Sequence, residues 1–187
     1  MPAPTALMPR QAVPSLDLPL VGGGRFVLNQ DKPENFTLVV FYRGYHCPIC
    51  SMYLGELSKL KDKFAEKGVS IIAVSSDTAE RAETAKQEWN LSNIDIAYGL
   101  DLDKAREWGL YISTSRGKTS TGVLEPDQFS EPGVFLVRPD GTLYYGAVQT
   151  MPFARPAFRD LVGALDFALA NDYPARGEVV DHGSKAA

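Results

Sequence analysis

Phe36-Thr37-Leu38-Val39-Val40-Phe41-Tyr42-Arg43-Gly44-Tyr45-His46-Cys47-Pro48-Ile49-Cys50 holds the densest information in this chain. Thr37 to Tyr42 is a continuous apolar run, as expected of a central strand covered on both faces. Beyond it, Cys50, Tyr53, Leu54, Leu57, Leu60 and Phe64 recur at intervals of three and four. That spacing predicts a helix from about Pro48 to Lys67 with one buried stripe. The two cysteines, the only ones in the chain, sit three apart at the junction. Two thiols so placed between strand and helix suit reversible disulfide chemistry.

Downstream of this stretch, Gly68 is a helix stop and Val69 to Ser75 a second apolar strand. Asp77 or Thr78 caps the next helix, which carries Ala82, Ala85 and Trp89 on one face. A strand at Ile94 to Tyr98 and a short helix from Asp103 to Trp108 follow. Residues 113–132 are rich in Ser, Thr, Gly, Pro and charge. They read as a long loop, functional or mobile. Gly133 to Val137 and Thr142 to Tyr145 flank Arg138-Pro139-Asp140-Gly141, a strand–turn–strand signal. The last helix spans Pro156 to about Ala170, with Phe158, Leu161, Val162, Leu165 and Leu169 inward. Upstream, Leu16 to Leu20 and Arg25 to Leu28 flank Gly22-Gly23-Gly24, a hairpin turn rather than a phosphate loop. Strands alternating with helices predict an α/β domain with a central mixed sheet flanked by helices and an N-terminal hairpin extension. Residues 16–171 form that domain. Residues 1–15 read as an extended or loose arm with four prolines. Residues 172–187 read as a frayed polar tail.

The bulk properties exclude several classes. A length of 187 residues fits one domain, and 44% hydrophobic residues can bury a substantial core. The net charge of −4 points to neither nucleic acid nor an anionic membrane as partner. No stretch approaches the ~18 apolar residues of a membrane span. The N-terminus lacks the basic and apolar regions of a signal peptide, so a cytoplasmic location is expected. In that compartment an oxidised cysteine pair is catalytic rather than structural. A structural zinc site usually takes four ligands. Two cysteines and two histidines, His46 and His182, do not supply one within a single chain in this arrangement. Neither metal nor cofactor is therefore expected.

The two thiols are predicted to have unequal jobs. Pro48 fits the first helical position, where its missing N–H is not needed. That makes Cys47 the N-cap and Cys50 the third helical residue, close enough to be joined. Cys47 then lies beside unpaired N–H groups and the positive end of the helix, which favour its thiolate. Cys50 falls on the buried stripe and should be less ionised. Cys47 is the expected nucleophile and Cys50 the resolving thiol. His46 and Arg43 are supporting candidates. Either would add positive charge beside Cys47, and His46 would also move a proton to a leaving thiolate.

With those residues in view, residues 14–170 resemble the thioredoxin-like superfamily. Within it they are most similar to the peroxiredoxin-like branch (alkyl hydroperoxide reductase/thiol-specific antioxidant, or redoxin). Leu38 to Cys50 and Pro132-Gly133-Val134-Phe135-Leu136-Val137-Arg138-Pro139-Asp140-Gly141 carry the resemblance. It implies a thioredoxin-like fold and a cis Pro132 packed beside the Cys47–Cys50 pair. The chain departs from the family in two places. Typical peroxiredoxins carry a hydroxyl residue three positions before the peroxidatic cysteine, where Gly44 stands here. They also carry an arginine entering the later strand, where Gly133 stands. Thioredoxins often have a buried acid at the position of Phe41. Pro48-Ile49 is more similar to the dipeptide of disulfide oxidases than to that of thioredoxin.

The expected function is thiol–disulfide oxidoreduction with an antioxidant role, cycling Cys47 and Cys50 between dithiol and disulfide. The substrate is a disulfide or a hydroperoxide, and an external dithiol of thioredoxin or glutathione type restores the pair. Two alternatives stand beside it. One is a thiol peroxidase with Cys47 peroxidatic and Cys50 resolving. The other is a redox-inactive binding module, a homodimer in one form, on the same fold.

Overall fold

A computed structural model describes residues 6–30 and 32–180. Thirteen elements follow in chain order. They are β1 (Asp17–Pro19), β2 (Arg25–Val27), β3 (Phe36–Phe41), α1 (Pro48–Ala65), β4 (Val69–Val74), α2 (Ala79–Glu88) and β5 (Asp95–Ala97). Then come α3 (Leu102–Glu107), β6 (Ile112–Thr114), β7 (Gln128–Ser130), β8 (Gly133–Val137), β9 (Leu143–Val148) and α4 (Phe158–Ala170). Five strands make the main sheet in the order β5-β4-β3-β8-β9. The β3–β4 and β4–β5 pairs are parallel, while β3–β8 and β8–β9 are antiparallel. The sheet is therefore mixed, as the alternation of elements predicts.

The apolar run 36–41 lies at the centre of this sheet, and all six residues are buried. Its alternating side chains feed two cores, because successive strand residues point to opposite faces. Leu38 and Val40 join Leu54, Leu57 and Phe64 of α1 and Phe158, Leu161 and Leu165 of α4. Val39 and Phe41 join Trp108, Leu110 and the N-terminal Leu16, Leu18 and Leu28. On that second face the Phe41, Trp108 and Phe135 rings meet with centroids 5.1–5.7 Å apart. Covered on both faces, β3 is fixed, and so is the start of α1 just beyond it.

The Gly22-Gly23-Gly24 turn closes the β1–β2 hairpin, with all three residues at positive φ. This hairpin is a separate two-stranded sheet attached to the main one through a bridge between Leu20 and Ala97.

Four regions differ from the sequence reading. Residues 113–132 are not a structureless loop. β6 and β7 pair antiparallel at its ends, and Lys118 bridges Leu124 nearer the tip. These strands bury one ring, Phe129, and are otherwise held by backbone pairing and polar side chains, so they leave no apolar alternation in the sequence. α4 starts at Phe158, two residues later than expected. The Pro156 carbonyl instead accepts a hydrogen bond from the Tyr53 hydroxyl at 2.6 Å.

The described part of the arm is also pinned. Arg10 N–H donates to the Leu143 carbonyl at 2.8 Å, and Val13 N–H to that of Gly141 at 3.0 Å. Part of the tail is held as well. Tyr173 and Ala175 offer carbonyls to the Tyr144 hydroxyl and to Arg10 Nε. No helix among the described residues is long and apolar enough to cross a membrane.

Candidate active site

The chain leaves the centre of the sheet at Phe41 and enters α1 at Pro48, through Tyr42 to Cys47. Cys47 is the N-cap, in extended conformation at φ −98° and ψ 103°, and Pro48 follows in the first helical turn. The Cys50 N–H donates to Cys47 Sγ at 3.3 Å. The sulfur thus takes the place that a serine or aspartate oxygen holds at an ordinary helix start. No acidic residue lies in the first turn of α1 to oppose a thiolate there. Both cysteines are free.

Their ionisation diverges as the N-cap geometry predicts. The Cys47 thiol is held down to about 6, chiefly by the hydrogen bond from the Cys50 side chain. The Cys50 backbone N–H and the positive charges of Arg155 and Arg43 lower it further against the cost of burial. The Cys50 thiol is pushed up by burial and by the Cys47 thiolate beside it. Cys47 is only 1% exposed and Cys50 fully buried, so a reagent reaches the nucleophile only when the surrounding chain yields.

His46 does not behave as its position in the sequence suggests. It is fully buried, with its ring 4.6 Å from that of Phe129. Arg81 Nη2 approaches its Nδ1 at 3.4 Å. A guanidinium only donates, so Nδ1 accepts and the proton sits on Nε2, which has no hydrogen-bond partner among the described residues. Burial first, then Arg43 and Arg81, drive its pKa down to about 3. His46 is thus a neutral packing group. It adds no positive charge beside Cys47 near neutral pH and is a poor proton carrier there.

Arg43 does lower the Cys47 pKa, although its charge is also committed elsewhere. It pairs with two buried carboxylates, Glu125 at 3.5 Å and Glu131 at 3.4 Å, and lies over the Phe129 ring. The peptide before Pro132 is trans, which corrects the expected cis bond. Glu131 donates its N–H to the Tyr111 carbonyl at 2.7 Å, and the Pro132 carbonyl accepts from Gln149 N–H at 3.0 Å. The chain runs from β7 into β8 along an extended path between these bonds, with no tight turn to favour the cis isomer.

The two glycines that replace family groups are sterically required. Gly44 has φ +131°, and a Cβ there would lie 2.7 Å from Asp77 Oδ1. That carboxylate accepts the Tyr45 N–H at 2.7 Å and Arg81 Nε at 3.0 Å, so it cannot simply withdraw. A Cβ on Gly133 would lie 2.5 Å from Leu110 Cδ2 and 2.8 Å from the Phe135 ring. Neither the hydroxyl nor the guanidinium of typical peroxiredoxins fits at these positions.

A guanidinium arrives from elsewhere. Arg155, in the segment between β9 and α4, places Nη2 3.2 Å from Cys50 Sγ and 3.8 Å from Cys47 Sγ. Its plane lies over Tyr53, 4.9 Å from the ring centre. Nothing in the sequence marks it, because it stands 105 residues or more from the pair it contacts. Beside it a groove of about 220 Å³ opens between α1 and this segment, lined among others by Ile49, Met52, Tyr53 and Phe153. Among the described residues, no group of three or more His, Cys, Asp and Glu side chains could hold a metal. His182 lies outside the described residues.

Comparison with known proteins bears on the family and the fold. The model of the AhpC/TSA family matches residues 9–146. A 1-Cys peroxiredoxin of Dictyostelium discoideum is 27% identical over 157 residues, covering 80% of this chain and 60% of that protein. The chain therefore spans less than two thirds of that relative's length. Among solved structures, the peroxidoxin BcpB of Mycobacterium tuberculosis superposes with a TM-score of 0.67 at 18% identity, covering 87% of this chain and 98% of its own. A mutant of the peroxiredoxin 6 of Arenicola marina gives 0.68 at 18% identity, with 89% and 76% covered. A peroxiredoxin-like protein of Aquifex aeolicus gives 0.68 at 13% identity, with 87% and 88% covered. These structures share the thioredoxin-like fold.

Proposed function

Since the chain belongs to the AhpC/TSA family, we propose that it is a thiol-dependent oxidoreductase cycling Cys47 and Cys50 between dithiol and disulfide. The observation that carries this reading is the asymmetry of the pair: one thiol lowered to about 6 at a helix N-cap, the other buried three residues on and held protonated. Cys47 thiolate attacks one sulfur of a substrate disulfide, forming a mixed disulfide and expelling the other sulfur as a thiolate. Cys50 then attacks Cys47 Sγ, closing the intramolecular disulfide and expelling the second thiolate. The substrate gains two electrons and the pair loses two. An external dithiol of thioredoxin type, or two thiols of glutathione type, returns them and leaves as a disulfide, which suits a reducing compartment such as the cytoplasm. Residues 16–171 are the working domain. A redox-inactive binding module would have no use for a depressed thiol beside a resolving one.

A second reading has a specific observation in its favour. The family match and the peroxiredoxin relative point to hydroperoxide as the oxidant. Cys47 thiolate would then take one peroxide oxygen, becoming a sulfenic acid and releasing alkoxide or hydroxide. Cys50 would displace water from it. Gly44 and Gly133 weigh against efficient peroxide handling, because the groups that position peroxide in the family have no room here.

Single-turnover kinetics with hydrogen peroxide and with a small aromatic disulfide decide between the two. The expected result is fast reaction with the disulfide and a peroxide rate no better than that of an ordinary thiol of similar pKa. Faster reaction with peroxide replaces the first reading with the second. With Cys50→Ser, a mixed disulfide should accumulate on Cys47, and its absence would defeat the two-cysteine cycle.

A further inference from the structure

The cycle contains a step that the resting geometry does not explain by itself. Once Cys47 has reacted it is neutral, and the buried Cys50 must then ionise to attack it. In the resting pair Cys50 keeps its proton for three reasons: burial, its hydrogen bond to Cys47, and the negative charge of Cys47. Oxidation of Cys47 removes the last two. A cation placed for both sulfurs would then act on Cys50 unopposed.

Arg155 is placed in that way. One nitrogen, Nη2, reaches both sulfurs, and it lies nearer Cys50 at 3.2 Å than Cys47 at 3.8 Å. Among the described residues, its Nε and Nη1 are buried without hydrogen-bond partners. Arg43 is paired differently, since its guanidinium faces two carboxylates, Glu125 at 3.5 Å and Glu131 at 3.4 Å. The Tyr53 ring under the guanidinium, and the Tyr53 hydroxyl bonded to the Pro156 carbonyl, hold Arg155 in register with α1. A half-buried cation with no carboxylate paired to it among the described residues gains most from whichever sulfur is anionic.

We propose that Arg155 is a catalytic residue for the disulfide-closing step, its guanidinium passing from the Cys47 thiolate to the Cys50 thiolate as the cycle proceeds. The assignment rests on the two-cysteine reading above and deepens it. In the first step Cys47–S⁻ displaces one thiolate from the substrate disulfide. In the second, Cys50 gives up its proton, which leaves with the second expelled thiolate, and the Cys47–Cys50 bond forms. Arg155 moves no atoms in either step. It supplies the charge that stabilises each thiolate in turn.

The test uses the full chain and 4,4′-dithiodipyridine, a neutral disulfide that does not depend on Arg155 for attraction. Each step releases one coloured thiopyridone, so two phases are expected from the dithiol protein and one from Cys50→Ser. Arg155→Gln should slow the second phase at least about tenfold and shift its pH midpoint upward, the behaviour of a thiol that has lost its cation. Arg155→Lys should recover most of the second-phase rate. A second phase in Arg155→Gln within about twofold of the parent, at an unchanged midpoint, overturns the assignment.

A second measurement needs no change at Arg155. In Cys47→Ser the nucleophile's charge is gone, so Cys50, followed by thiolate absorbance, should titrate lower than in the parent chain. Titration at the same or higher pH also overturns the assignment. A parent chain that releases only one thiopyridone defeats the cycle itself and the assignment with it.

Discussion

Cys47 is where the chemistry becomes measurable. Its thiol lies at about 6, so the nucleophilic form fills in as pH rises through that value. Alkylation of Cys47 by iodoacetamide should therefore climb about tenfold between pH 5 and pH 7 and then level off. An unperturbed thiol would keep gaining through pH 8. His46 sets no second inflection in this range, since burial holds its own pKa near 3 and the ring is already neutral. His46→Phe should keep the Cys47 midpoint while preserving the packing against Phe129. Peptide mapping of the alkylated protein reads both outcomes, and a midpoint near 8.5 for the parent chain would contradict the site geometry. Arg155 and His46 exchange the parts that sequence proximity assigns to them. The distant side chain touches both sulfurs, while the adjacent one is a buried neutral ring.

At the level of elements, the hairpin formed by β6 and β7 is tied to the start of α1 through charge. Glu125, from the segment between these strands, accepts the Arg116 N–H at 2.7 Å and pairs with Arg43 at 3.5 Å. Ser113 of β6 donates its hydroxyl to Glu131, the other carboxylate on Arg43. A buried carboxylate so engaged cannot be deleted without leaving donors unsatisfied. Glu125→Ala should cost roughly 1–3 kcal/mol of stability. Amides of residues 115–127 should exchange with solvent faster than in the parent, while those of β3 and β4 stay protected. Equal protection in both proteins would show that backbone pairing alone holds the hairpin. The composition of residues 113–132 conceals this element because its anchors are Glu, Arg and Ser rather than an apolar face.

Across the whole molecule, the site depends on the two cores holding β3 and α1 from opposite faces. Phe158 is the first residue of α4 and is fully buried, stacked on Tyr53 at 4.2 Å and edge-on to Phe64 at 6.5 Å. Phe158→Ala should cost about 3–5 kcal/mol in denaturant unfolding. The same change should loosen the Arg155 segment, which enters α4 immediately upstream, and so raise the Cys47 alkylation midpoint. A stable variant with an unchanged midpoint would place the support of Arg155 elsewhere.

Local features were legible from residue order alone: an apolar strand, a proline-led helix after it, and two thiols three residues apart at the cap. Those follow from residue order, since the N-cap position and the buried stripe are set within one or two helical turns. The mixed sheet with an N-terminal hairpin was legible for the same reason, from runs and turns longer than a few residues. Tertiary structure decided the rest. The charge beside the thiols comes from Arg155, His46 is silenced by Phe129 and Arg81, and Gly44 and Gly133 are closed by Asp77 and Leu110. Ionisation and steric room depend on what lies within a few ångströms in space, and here those neighbours come from positions far apart in the chain.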